Sequence, residues 1–343
     1  MVDPKTVDLR TEWLGLQLAS PLVLGASPLT DDLDALEAAA SAGAGAIVMR
    51  SLFEEQVVAE QMAIHHYIDS HVDYDAEART FLPDTDVFPI GVDTYVALLA
   101  RIKARVRVPV LASLNGTTLG GWLDAARRVV DAGADGIELN LHDVVTDPAL
   151  SSSEVEARQL AIVARIAASV GVPVSVKLSS FHASLPWFVA QLSAAGARGV
   201  VVFNRLYMSD IDVEALEVRP TLHLSTPHEL PLRLHALANL SGRVAIDLAA
   251  SGGVHSGQDV MKVILSGGRV AQMTSAVLAH GPATFARVTD ELRAALARGG
   301  YDSADEARGV MDHTRSPDPH AWERRDYMRM LRGWQGPRSR WVR

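Results

Sequence analysis

The sequence contains no cysteine. That excludes disulfides, thiolate-held iron–sulfur clusters, cysteine-ligated zinc and cysteine nucleophiles together. No apolar run reaches the roughly 18 residues that a helical membrane span requires. Met1 to Arg10 lacks the basic-then-apolar pattern of a secretory leader. A soluble, cytoplasmic protein without a membrane partner is expected. Clustered basic charge is also scarce, the formal net charge being −9. Binding to a phosphate backbone rests on clustered Lys and Arg, so no nucleic-acid partner is expected. One stretch departs from this, the tail carrying Arg324, Arg325, Arg329, Arg332, Arg338, Arg340 and Arg343, which reads as a solvated helical surface and a frayed end. The twelve histidines form no H-E-x-x-H or comparable pair. His65 and His66 are adjacent and so do not share a helix face. No metal site is expected.

What the chain does contain is a repeat. Four stretches run from small residues and glycine into a short apolar strand: Ala42–Gly45 into Ala46–Met49, Ala132–Gly136 into Ile137–Leu139, Ala195–Gly199 into Val200–Val202, and Gly267–Arg269 into Val270–Gln272. Gly43, Gly133, Gly196 and Gly267 suit the left-handed residue that closes a helix. Between them, Val108-Pro109-Val110 and Val172-Pro173-Val174 place proline at a strand start, where it is tolerated. Intervening segments have helical spacing, as in Phe285, Val288, Leu292 and Leu296. Ser151-x-x-Glu154 is a capping-box signature. With Leu22–Ser27 and Val244–Leu248 the count reaches eight strands alternating with helices. The order predicts a single α/β domain, a (β/α)8 TIM barrel over residues 1–300. A helical extension over 301–343 is expected to pack on or beside it. Insertions are expected after the second strand (54–90) and the sixth (205–231), on the face where such barrels carry their sites. No G-x-G-x-x-G follows the first strand, which disfavours a doubly wound sheet.

Polar residues gather where the strands end. Ser251-Gly252-Gly253 ends the seventh strand, and Thr274-Ser275 ends the eighth. Backbone amides at a Gly-Gly turn opposite hydroxyls make a phosphate cradle, at the usual phosphate position of this fold. Lys177 lies inside the apolar run Val174–Leu178 and must point into the barrel with a partner. It serves a cofactor ring or substrate anion, or pairs with Glu138 on the neighbouring strand, or both. Glu138 and Asn140 share one strand face. Arg50, Ser113, Asn115 and Asn204 end other strands on the same rim.

Taken in order, these motifs resemble the soluble dihydroorotate dehydrogenases, flavin mononucleotide (FMN) barrels of pyrimidine metabolism. The resemblance rests on Ser20-Pro21 to Ala26-Ser27, Glu138-Leu139-Asn140, Val176-Lys177-Leu178, and Ser251–Val254 through Ser256–Asp259, Gln272 and Thr274-Ser275 to Gly281–Ala283. It spans roughly residues 8–300. It implies FMN held by Ala26, Ser27, Ser113, Asn140, Lys177, Asn204, Ser251, Gly252, Gly253, Thr274 and Ser275, with Lys177 at the pyrimidine end of the flavin. It implies a small-molecule substrate held by Arg50, Asn115, Asn140 and Asn204. The family's base, a Cys or Ser three residues after the strand-four asparagine and followed by Pro-Asn, is replaced here. The run reads Asn140-Leu141-His142-Asp143-Val144-Val145, so Asp143 or His142 becomes the candidate base. The family's strand-two lysine is replaced by Arg50, and its N-x-x-G-x-x-N loop is absent from residues 51–90. The cofactor side is kept and the substrate side is rewritten.

The leading expectation is therefore an FMN-dependent oxidoreductase acting on a C–H bond of a dihydropyrimidine-like substrate, with a soluble acceptor or a partner protein taking the electrons. A homodimer is compatible with this reading. Two rivals stand beside it: a non-redox barrel lyase or aldolase using Lys177 as a Schiff base, and a flavin-binding protein without turnover that serves a partner complex, the Arg-rich tail with Trp322 and Trp334 then either docking the partner or packing beneath the barrel.

Overall fold

The computed structural model describes residues 2–54, 91–116, 122–141, 145–205, 209–219, 221–323 and 331–333. Twelve strands are found among them: β1 (Thr11–Trp13), β2 (Leu16–Leu18), β3 (Leu22–Leu24), β4 (Ala46–Phe53), β5 (Val110–Asn115), β6 (Gly136–Asn140), β7 (Val174–Leu178), β8 (Gly199–Val202), β9 (Asp210–Asp212), β10 (Glu217–Arg219), β11 (Asp247–Ser251) and β12 (Val270–Met273). Eight of these close a barrel in the order β11-β12-β3-β4-β5-β6-β7-β8, every neighbouring pair being parallel. Helices connect the strands, so the chain folds as the expected (β/α)8 barrel.

Local chemistry explains the repeat. Gly43, Gly133, Gly196 and Gly267 have φ of +111°, +97°, +98° and +104°. In each case the following amide reaches back to close the helix, as Ala44 N does to Ala39 O and Gly268 N to Val263 O. This doubly bonded ending needs a left-handed residue, which glycine supplies without steric cost. The alternate junctions use proline differently. The carbonyls of Pro109, Pro173 and Pro21 accept from Ile47, Ile137 and Ala271, so a residue that cannot donate begins each strand as an acceptor. The helix Ser152–Ser169 starts on the expected capping box of Ser151 and Glu154.

Strand alternation splits the core in two. One set, including Ile47, Ala112, Leu139, Val176, Val202 and Ala271, packs outward beneath the helices. The other, Val23, Ala46, Val48, Leu111, Val201, Ala249 and Val270, fills the bore together with Trp13, Leu14 and Leu18. The latter three come from the antiparallel hairpin β1–β2, which plugs the foot of the barrel. Leu14 N is fixed there by Asp247 Oδ2 at 2.8 Å.

Several boundaries differ from expectation. The first barrel strand ends at Leu24, leaving Ala26 and Ser27 beyond it, and Ser27 begins a 3-10 turn, Pro28–Asp31. The seventh begins at Asp247 rather than Val244, because Val244 N still bonds to Leu240 O of the preceding helix. Of the insertion after the sixth strand, the described part is the short hairpin β9–β10 and a 3-10 turn, Pro227–Glu229. The insertion after the second strand lies, beyond Glu54, outside the described residues. Over 301–323 the expected helical extension holds only the short helix Ala304–Ala307 and a 3-10 turn, Pro319–Trp322. It is laid against the start of the chain through a parallel bridge of Asp8 with Ser303. Trp334 and the tail arginines other than Arg332 lie outside the described residues. No helix among the described residues is long and apolar enough to cross a membrane.

Candidate active site

Three inward side chains meet above the apolar bore. Lys177 Nζ donates to Glu138 Oε1 at 3.0 Å and to Gln272 Oε1 at 2.7 Å, and Gln272 Nε2 donates to Glu138 Oε2. Glu138, Lys177 and Gln272 are 0%, 5% and 1% exposed. The expected Glu138–Lys177 pair is present, and Gln272 completes it into a closed triad. A buried ion pair is tolerated when further hydrogen bonds support both charges, and the glutamine adds one to each with its two ends.

At the carboxyl ends of the strands a cleft is lined by Ala26, Lys177, Asn204, Ser251, Gly252, Gly253, Thr274 and Ser275, all expected site residues. Its void is about 60 Å³. Gly252 and Gly253 have φ of +90° and +80°, which turns the backbone sharply after β11. A Cβ on Gly253 would stand 2.7 Å from Leu230 N, so the turn is packed tightly onto the start of the preceding helix, Leu230–Leu240. Ser275 opens the helix Ser275–His280, with Thr274 as its N-cap.

Two residues of this site carry no sequence signal. Ser225 Oγ donates to Ser275 Oγ at 2.9 Å and accepts from Gly253 N at 3.1 Å, so that amide is engaged rather than bare. Arg233 is 6% exposed. Its Nε donates to Ser251 O at 3.0 Å and its Nη1 to Glu229 O at 2.8 Å. Burial pushes the Arg233 guanidinium below its ordinary pKa, with Glu229 opposing and Arg205 adding to the shift. Arg205, which also lines the cleft, lies 3.3 Å from Glu229.

The substrate-side residues form a second group. Asn140 Nδ2 donates to Ser113 Oγ at 2.8 Å and Ser51 Oγ at 3.1 Å, and the two hydroxyls are 2.8 Å apart. Asn140 stands in register with both Lys177 on β7 and Asn115 on β5, so the groups adjoin on one rim. Arg50 Nε lies 2.9 Å from Asp31 Oδ1, while its buried Nη2 has no hydrogen-bond partner among the described residues. The Arg50 backbone is clamped by Thr30 Oγ1 and by the Tyr95 hydroxyl, whose pKa burial pushes up. Ser27 Oγ is likewise buried without a partner. His142 and Asp143 lie outside the described residues.

A larger cavity, about 570 Å³, sits at the opposite end, beside Glu12, Leu14, Asp247 and Arg269. It holds none of the expected site residues. Arg269 and Asp247 there are an ion pair, and this face of a barrel serves stability.

The sequence model of the dihydroorotate dehydrogenase family matches residues 86–296. Similar curated proteins include the catalytic subunit of dihydroorotate dehydrogenase B (NAD(+)) from Thermoplasma acidophilum, 23% identical over 316 residues, which cover 88% of this chain and 98% of that one. The subunit of the same description from Methanosarcina mazei is 26% identical over 305 residues, 86% of this chain and 93% of the relative. That from Methanothermobacter thermautotrophicus is 26% identical over 210 residues, 59% and 69% respectively.

Proposed function

Because the chain belongs to the dihydroorotate dehydrogenase family, we propose that it is an FMN-dependent oxidoreductase acting on a C–H bond of a small dihydropyrimidine-like molecule. The observation that carries this reading is the cleft in which Lys177, Gly252, Gly253, Thr274 and Ser275 converge. Its void is far below the roughly 300 Å³ and upwards of a whole small-molecule pocket, but it suits an anionic head group. The residues fit a flavin phosphate: the Ser275 hydroxyl, the Gly252–Gly253 turn with its Gly253 amide held by Ser225 Oγ, and the Arg205 and Arg233 guanidiniums nearby. Ser27 Oγ, buried without a partner among the described residues, supports a ligand at this site, since a buried hydroxyl is costly to leave unbonded.

Bound FMN would supply a hydride acceptor. The chain's own residues do the rest. Lys177, fixed by Glu138 and Gln272, would set a positive charge beside the cofactor's ring. Asn140, with Ser51 and Ser113 holding its amide, orients the substrate, joined by Asn115, Asn204 and the open Nη2 of Arg50. Asp143 or His142 takes the proton from the carbon next to the hydride donor. A soluble acceptor or a partner protein then collects the electrons. The Schiff-base alternative fits less well, because an amine that attacks a carbonyl must be neutral and accessible, and Lys177 Nζ is held between two acceptors.

The test is reconstitution with FMN followed by anaerobic mixing with dihydroorotate and related dihydropyrimidines. Retained yellow colour that bleaches with one of them is the expected result. Protein that stays colourless after reconstitution sinks the proposal. Asp143→Asn and His142→Gln then assign the base, which must slow bleaching at least 100-fold when removed.

A further inference from the structure

Gln272 stands opposite Glu138. In the ring of eight strands, β12 is four steps from β6 in either direction, so this side chain crosses the bore to complete the ion pair of Glu138 with Lys177. The three side chains together carry no net charge: one ammonium, one carboxylate and one amide. Below them the bore is filled by apolar residues, among them Val23, Val48, Leu111 and Val270, with the Ser175 hydroxyl bonded to Ile137 O. Above them, Lys177 and Gln272 line the cleft. An ammonium has three N–H groups, and two of those on Lys177 are engaged inside the triad, which leaves one for the cleft.

We propose that Glu138 and Gln272 are positioning residues that tune the reduction potential of the bound cofactor by fixing Lys177 and offsetting its charge. The inference rests on the FMN reading above. Reducing a flavin adds negative charge to its ring, so nearby positive charge favours the reduced form and nearby negative charge disfavours it. Among buried groups, a change of one unit charge acts strongly at short range. Glutamine and glutamate have nearly the same shape, so the charge can be altered at either end of the triad with little change in packing. A pair that served folding alone would leave the potential unmoved under such exchanges.

The experiment uses the full chain loaded with FMN, its midpoint potential read by equilibration with a reference dye. Glu138→Gln removes a negative charge and shifts the potential upward. Gln272→Glu sets a second carboxyl against Glu138, and because such a pair shares a proton its downward shift is read at a pH high enough to ionise both. The double exchange Glu138→Gln with Gln272→Glu restores neutrality and returns it near the wild-type value. Either single variant carries the sign by itself if the other fails to fold. Flavin that stays bound in the variants at an unshifted potential overturns this inference and spares the FMN reading. A wild-type chain that binds no flavin overturns both.

Discussion

A Cβ on Gly199 would stand 2.8 Å from Trp13 Cη2 and nearer still to Leu14 Cδ2. The hairpin β1–β2 therefore closes the foot of the barrel against a strand that begins without a side chain. Gly199→Val should cost about 1–3 kcal/mol through overpacking and lower the melting temperature measured by calorimetry. An unchanged melting temperature would show that Trp13 is free to move aside.

Lys177→Met should be more damaging. Removing one member of a buried ion pair leaves the other charge uncompensated, at a cost of roughly 3–5 kcal/mol. Urea unfolding of the protein without added FMN checks this, and the loss should be smaller in the double variant Lys177→Met with Glu138→Leu.

Gly253→Ala should weaken FMN binding at least tenfold, about 1.4 kcal/mol, by forcing the turn away from Leu230 N. Titration calorimetry with FMN and with riboflavin separates the effects. Loss confined to FMN places the defect at the phosphate, while equal loss for both ligands would contradict the phosphate assignment.

His182 gives a pH signature. Its ring is stacked on Phe188 at 4.5 Å and lies 3.5 Å from Glu156 Oε1. Burial pushes its pKa below the ordinary 6.5, against the opposing pull of Glu156. The native state thus favours the neutral ring and binds fewer protons than the unfolded state. The stability it contributes is present above about pH 6.5 and is lost as pH falls through the lower folded value. His182→Gln should flatten that part of the melting-temperature profile on the acid side, and a variant whose profile parallels the wild type would rule the histidine out.

Much of the barrel was legible because its signals are local. Gly43, Gly133, Gly196 and Gly267 each end a helix within a few residues of the strand they precede, and Ser151 and Glu154 mark a helix start by themselves. Lys177 was legible because a charge inside an apolar strand demands a partner, and Glu138 was the nearest. Gln272 as that partner's complement was not, since its contact with Glu138 spans 134 residues of chain and leaves no pattern. Arg233 was hidden for a similar reason. It sits in the helix Leu230–Leu240, and its reach forward to Ser251 O follows from packing rather than spacing. The hairpin β1–β2 leaves no pattern in the sequence, because its three-residue strands look like loop until the bore they fill exists.

That plug has a consequence for how the molecule is made. Leu14 is held by Asp247, 233 residues further along. On a ribosome adding about 5–20 residues per second, Trp13 therefore waits roughly ten to fifty seconds for the strands that will cover it. During that interval an early apolar segment is exposed with nowhere native to go. A polar hairpin would spare the nascent chain that exposure at the expense of the packing that fills the bore.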